Sequence, residues 1–288
     1  MIKPDSPLLE RFQAYILEND LFHPEDKILL AVSGGVDSML MANLFLRSGF
    51  NFGLAHCNFS LRGVESEGDE EFVRNWCILN NISFHTQRFD THFKMQEDKI
   101  SLQMAARALR YAWFESLCIE NHYAYCSLAH HGNDILETIL LNLVRGTGIA
   151  GLRGILPKSG IWIRPLLAFN KKEILDEAGK LNLAYREDSS NQSRKYLRNR
   201  LRQEVIPLLK EMNPNWEQTL GQHLKSLRFT EILASEKKKE IREDYWFHES
   251  GFQKLSIHKI REYGTLGSEL LHTLLEPFLF TYSVCLEI

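Results

Sequence analysis

Lys27-Ile-Leu-Leu-Ala-Val32, running straight into Ser33-Gly34-Gly35-Val36-Asp37-Ser38, sets the reading of the whole chain. A short apolar run that ends in a polar, glycine-containing turn is the pattern of a strand buried on both faces of a parallel sheet. From Asp37 to Arg47 the residues Met39, Leu40, Ala42, Leu44 and Phe45 keep helical spacing, and Gly49 follows as a stop. Glycines between a strand and a helix permit positive φ and let backbone N–H groups approach an anion closely. The helix starting near Val36 points its positive end at the same place. Ser33 and Ser38 add hydroxyl donors. Asp37 is the discordant residue, because a carboxylate repels phosphate unless a cation lies between them. Mg²⁺ bridging Asp37 and phosphate oxygens resolves this most simply. The loop is neither Gly-x-x-x-x-Gly-Lys-Ser/Thr nor Gly-x-Gly-x-x-Gly. A tight turn with Asp37 as a helix cap is the plainer alternative.

Outward from this unit the pattern repeats. Phe52–His56, Ile82–Phe89, Tyr123–Ala129 and Ile161–Leu167 read as further strands. Glu65–Leu79, Ser101–Asn121, Asp134–Val144 and Lys171–Leu181 read as helices between or after them. Alternating strands and helices predict an α/β fold, a doubly wound parallel sheet covered on both faces. Ligands of such sheets bind beyond the carboxyl ends of the strands. Past Tyr185 the alternation stops. Lys195–Lys210, Trp216–Glu243 and Gly267–Leu275 read as helical, with Pro207 and Pro214 as breaks. A boundary is therefore expected near residues 210–215, with a catalytic domain over 1–212 and a smaller, mainly helical region over 213–288. The Lys237–Arg242 run has mixed charge and reads as a solvated helix face.

The 288 residues are 44% hydrophobic and 25% charged, ordinary for a globular protein. No window of about 18 uncharged apolar residues appears, and the N-terminus lacks an apolar signal core, so the expected location is cytoplasmic, without membrane. Five cysteines without Cys-x-x-Cys spacing argue against a disulfide framework, a zinc knuckle or an iron–sulfur site. The net charge of −3 gives no bulk attraction to nucleic acid. Between Arg186 and Arg202, however, six basic residues (Arg186, Arg194, Lys195, Arg198, Arg200, Arg202) face two acids. A local patch of this kind is what phosphate binding needs.

The Ser33–Ser38 loop resembles the Ser-Gly-Gly-x-Asp-Ser loop of the PP-loop ATP pyrophosphatases, which cleave ATP between the α and β phosphates and leave an adenylated substrate. Four further segments are similar to the lysidine synthetases of that superfamily. His56-Cys-Asn-Phe59-Ser-Leu-Arg-Gly-Val-Glu-Ser66 is one, with Phe59 where His is more usual. Ala105-Ala-Arg107-Ala-Leu-Arg110-Tyr111 is another; its two arginines, three apart, share a helix face and suit phosphate or developing negative charge. The third is Ala129-His130-His131-Gly-Asn133-Asp134-Ile135-Leu-Glu137-Thr138, followed by Arg145-Gly-Thr-Gly. The family usually has Asp-Asp-Gln at 133–135. The fourth runs from Arg186 through Asp188 and Asn191 to Arg198-Asn199-Arg200-Leu-Arg202.

This resemblance implies ATP and Mg²⁺ as the nucleotide and metal, with Ser33, Gly34, Gly35, Val36, Asp37 and Ser38 at the phosphates. It implies catalytic roles for Asp37, Arg107, His130 and Asp134, and metal binding at Asp37 and Asp134. Arg110, Arg145, Asn191, Arg198, Asn199 and Arg202 would face the substrate and tRNA. The implied reaction joins free lysine to the wobble cytidine of an isoleucine tRNA with a CAU anticodon. Family members extend further, to a C-terminal tRNA-binding domain, so the chain is expected to be truncated before it. Oligomeric state is open, a homodimer being one arrangement. The rival readings are a tRNA thiolation enzyme, which needs a cysteine pair absent here, a non-catalytic RNA-binding relative, and a module that senses ATP without consuming it.

Overall fold

A computed structural model describes residues 6–61, 63–186, 197–249 and 252–287. It divides into two compact units, residues 1–147 with 154–212, and residues 148–153 with 213–288.

The first unit begins with α1 (Pro7–Glu18), a helix missing from the sequence expectations. Ser6 caps it, its hydroxyl accepting the Leu9 N–H at 3.2 Å, and Pro7 fits the first helical position. Leu8, Leu9, Phe12 and Ile16 form its buried stripe. The chain then alternates: β1 (Lys27–Ala31), α2 (Val36–Ser48), β2 (Asn51–Asn58), α3 (Val64–Asn80), β3 (Ser83–Arg88), α4 (Thr91–Asp98), α5 (Leu102–Glu120), β4 (Tyr125–Ser127), α6 (Gly132–Arg145), α7 (Ile149–Leu152), β5 (Lys158–Ser159) and β6 (Trp162–Ile163). After β6 come a 3₁₀ turn over Pro165–Ala168, α8 (Lys171–Lys180), α9 (Leu197–Arg200), a π turn over Leu201–Val205 and α10 (Ile206–Met212). Of these, α7 belongs to the second unit.

The six strands lie in the order β3-β2-β1-β4-β6-β5, parallel except for the β5 edge. Both faces are covered, as the alternation of helix and strand requires. Along β1, Ile28 and Leu30 enter the cluster that holds α1, α2 and α8, while Leu29 enters the cluster under α5. The period of two in side-chain direction makes this division. Fully burying one such side chain is worth about 1.5–3 kcal/mol. The strand order reverses at β1, which pairs β2 on one side and β4 on the other. The loop after β1 thus opens at the topological switch point, where doubly wound sheets bind ligands.

The fourth and fifth expected strands are cut back most. The fourth keeps only Tyr125–Ser127, and the fifth only Trp162–Ile163. Pro165 lacks an N–H for the ladder and opens the 3₁₀ turn instead. A π turn falls where Pro207 cannot donate to the preceding turn.

The second unit holds α7, the 30-residue α11 (Trp216–Tyr245), a hairpin of β7 (Trp246–Glu249) and β8 (Phe252–Leu255), then α12 (Ile257–Arg261), α13 (Gly267–Leu275) and α14 (Tyr282–Leu286). The region is mainly helical, as expected; the hairpin is an element that the sequence reading did not single out. Ile241, Ile260, Leu271, Leu274 and Cys285 form the core. Residues 237–240 of α11 are exposed and Ile241 is buried, so the mixed-charge run is a solvated face with one inward residue.

Candidate active site

The Ser33–Ser38 loop folds as its composition demands. Gly34 takes φ +91°, a conformation that side chains resist. Gly35 is the N-cap of α2 and offers no side chain to its first turn. The N–H groups at the start of α2 therefore have no side-chain cap. The loop braces itself: Ser38 Oγ donates to the Gly35 carbonyl at 2.9 Å and accepts the Ser33 N–H at 3.2 Å, while Ser33 Oγ accepts the Gly35 N–H at 3.3 Å. Beside the loop, Arg186 donates its N–H to the Gly34 carbonyl at 3.0 Å, and its guanidinium pairs with the buried Asp69.

The loop opens on a cleft of about 660 Å³ lined by the ends of β1, β2 and β4 and by α5. Ser33, Ser38, Asp69, Arg107, Arg110 and His130 all face it. Arg107 stacks over Tyr111 at 4.5 Å, and Arg110 over Phe59 at 5.1 Å, so aromatic rings aim both guanidiniums. His130 lies three residues beyond the end of β4, with its Nδ1 enclosed and unpartnered. Burial pushes its pKa down to about 4, with Arg164, Arg198 and Arg107 adding to the effect and Asp134 opposing it. The ring is neutral at physiological pH.

Asp134 is buried at the start of α6, and its Oδ2 accepts the His131 N–H at 2.9 Å. Burial alone would raise its pKa; His131, His130 and Arg198 outweigh burial and bring it below the ordinary value. One turn on, Glu137 is only 1% exposed and holds Arg202 by two bonds, Nε to Oε1 at 2.6 Å and Nη2 to Oε2 at 3.0 Å. Arg198 Nε lies 3.0 Å from the same carboxylate. Arg198 and Arg202 are thus tied to α6, while Asn199 lies half-buried on α9. Arg145 is exposed at the other end of α6, about 16 Å along the axis from Asp134 at the usual rise per residue. Asn191, with Asp188, Arg194 and Lys195, lies outside the described residues.

Several residues of this region carried no assigned role in the sequence reading. Glu137 was legible, since an acid one turn from Asp134 on an amphipathic helix shares its face. Arg164, at the end of β6, is part-buried with its Nε enclosed and its Nη1 on the Leu156 carbonyl at 2.8 Å. Lys171 opens α8, its Nζ 2.6 Å from Asp37 Oδ1; its position in an ordinary Asn170-x-x-Glu173 capping box gave no signal. Of the departures from the family pattern, Asn133 Oδ1 accepts the Lys171 N–H at 2.7 Å. Ile135 lies against Gly154 instead of in the cleft.

Among the described residues no three His, Cys, Asp or Glu side chains cluster as a metal cage. Mg²⁺ needs none when one or two carboxylates and substrate phosphates complete its shell. Asp37, part-exposed at the loop, fits that role; Asp134 has one oxygen already on the His131 N–H.

A glycine turn at the switch point of a doubly wound sheet, opening on a cleft with paired arginines, is the architecture of α/β domains that bind ligands at their strand ends. The chain belongs to the PP-loop domain family, whose model matches residues 7–209. Two similar proteins are tRNA(Ile)-lysidine synthases. The one from Bacteroides thetaiotaomicron is 43% identical over 211 residues, which are 73% of this chain and 50% of that protein. The one from Porphyromonas gingivalis is 38% identical over 276 residues, 95% of this chain and 60% of that protein. The chain thus spans about half to three-fifths of these relatives' length. Among solved structures, a tRNA thiolase from Methanococcus maripaludis superposes with a TM-score of 0.61 at 17% identity, covering 76% of this chain and 79% of that one, and shares the fold. No described helix is long and apolar enough to cross a membrane.

Proposed function

We propose that this chain forms lysidine: it adenylates the wobble cytidine of an isoleucine tRNA with ATP and joins free lysine to the activated base. The observation that carries the reading is the uncapped, glycine-turned start of α2 opening on a cleft that also holds Arg107 and Arg110. The names of the similar proteins supply the substrate class.

In this reading the nucleotide phosphates lie on Ser33–Ser38, where main-chain N–H groups and the α2 dipole offset their charge. Asp37 would hold Mg²⁺ together with phosphate oxygens, and the ion would supply charge neutralisation. The cytidine C2 oxygen attacks the α-phosphorus, and the bond to the β-phosphate breaks with its electron pair on pyrophosphate. Arg107 neutralises charge developing at the α-phosphate. The lysine ε-amine then attacks C2, and AMP departs. His130, kept neutral by burial, offers a ring nitrogen to the substrate; a base of pKa about 4 holds little of the amine's proton, which passes to solvent. The cytidine lies in a single-stranded loop, so its edge is readable without melting a duplex. Arg198 and Arg202, held by Glu137, would position the RNA beside the cleft.

Incubation with ATP, radiolabelled lysine and unmodified tRNA, omitting each in turn, tests this. Label should enter tRNA only when all three are present, with AMP and pyrophosphate released. Pyrophosphate release without lysine incorporation would exclude the ligase reading.

A further inference from the structure

The ammonium of Lys171 is bonded to the one carboxylate inside the phosphate loop. Its Nζ lies 2.6 Å from Asp37 Oδ1, and its side chain is 39% exposed. The backbone beneath it is held firmly. Its N–H donates to Asn133 Oδ1 at 2.7 Å, and Asn170 and Glu173 close a capping box around the same turn with bonds of 3.0 and 2.8 Å. A fixed main chain with a partly solvated four-carbon stem lets the charge move while its anchor stays. A half-exposed ion pair contributes little to folding, so stability does not account for the arrangement. Asn133 supports this reading too. It supplies the acceptor that an aspartate would supply, yet adds no second negative charge beside Lys171.

We propose that Lys171 is a catalytic residue that exchanges partners during the reaction, leaving Asp37 for the β- and γ-phosphates and neutralising the pyrophosphate as it departs. The inference rests on the ATP-cleaving reading given above. Before nucleotide arrives, Lys171 offsets the Asp37 charge in a pocket built for anions. When phosphates occupy the loop, Asp37 is needed for the cation that accompanies them, and the released ammonium is within a side-chain rotation of the same loop. The bond between the α-phosphorus and the bridging oxygen breaks, and the electron pair leaves on pyrophosphate. Lys171 keeps its proton throughout and forms no covalent bond. A loop of this kind lacks the lysine of a Walker A motif; Lys171 brings an equivalent charge from a different helix.

The test measures equilibrium binding of metal-free pyrophosphate to the full chain and to K171M, K171R, D37N and the D37N/K171M double variant, alongside ATP–pyrophosphate exchange with unmodified tRNA. In the D37N background Lys171 has no carboxylate to shield, so its loss acts only through the ligand. Pyrophosphate should bind D37N/K171M about tenfold more weakly than D37N. K171M should lower kcat for exchange about 100-fold, the scale for removing one transition-state donor, with a smaller change in KM for ATP. K171R should restore most of both. Equal pyrophosphate affinity in D37N and D37N/K171M, or exchange at the wild-type rate in K171M, would overturn the proposal. A wild-type chain that neither binds pyrophosphate nor exchanges it would refute the ATP-cleaving reading itself, and the role of Lys171 with it.

Discussion

Glu137→Gln should loosen the segment 197–212 without disturbing the sheet. The wild-type carboxylate is 1% exposed and receives two charge-assisted bonds from Arg202, with Arg198 beside it. Bonds of this kind contribute about 1.5–3 kcal/mol each. The arginine side chains are 44% and 41% exposed, so water recovers part of the loss when the pair is broken. Glutamine also keeps one acceptor. The net cost to the local closed state is then about 2–3 kcal/mol, or roughly 30- to 150-fold in an opening equilibrium. Amide hydrogen exchange reads this directly. Amides of α9, the π turn and α10 should lose protection by that factor, while β1 and β2 stay as in the wild type. Equal protection in α9 and α10 would show that apolar contacts such as Leu201 and Ile206 hold the segment, and that the Glu137 cluster does not.

Asp37→Ala should abolish ATP–pyrophosphate exchange, and exchange at the wild-type rate would remove Asp37 from the metal role. His130 has a folded pKa of about 4 against an ordinary 6.5, so the unfolded chain binds a proton that the native one refuses. Its contribution to stability is therefore fully present above pH 6.5 and is lost as pH falls towards 4. His130→Asn should flatten the dependence of unfolding free energy on pH in that window by up to one proton, measured by urea titration at several pH values. Gly53→Ala would place its Cβ 2.1 Å from the Tyr123 hydroxyl, which is bonded to His85 at 2.9 Å. The overpacking should cost about 1–3 kcal/mol, visible as a lower urea midpoint; an unchanged midpoint would mean that Tyr123 moves aside freely.

The doubly wound sheet was legible because buried parallel strands announce themselves locally, as Lys27–Val32 does, and because the glycines after it have few other uses. The structure brings Arg107, Arg110 and His130 to one cleft; the residues alone showed only that the two arginines share a helix face and that His130 follows a strand, and their common site was implied by the resemblance. Strand lengths were not legible. Hydrophobicity continues through Leu166 and Leu167, but the missing N–H of Pro165 ends the ladder earlier. Helix α1 carried local signals of its own, the Ser6 cap, Pro7 at the first position and the Leu8–Leu9–Phe12–Ile16 stripe, and was nonetheless missing from the expectations; the short strands of the β7–β8 hairpin carry weaker ones.

By itself the sequence determined the glycine turn after β1: two glycines between a strand and a helix leave the backbone few alternatives, and that constraint is local. Only the tertiary structure decided which charges meet there. Asp37 and Lys171 are 134 residues apart, and Glu137 and Arg202 are 65 apart. No spacing rule along the chain encodes such pairs, because they are made by the order of strands in the sheet and by the way the helices pack over its edge.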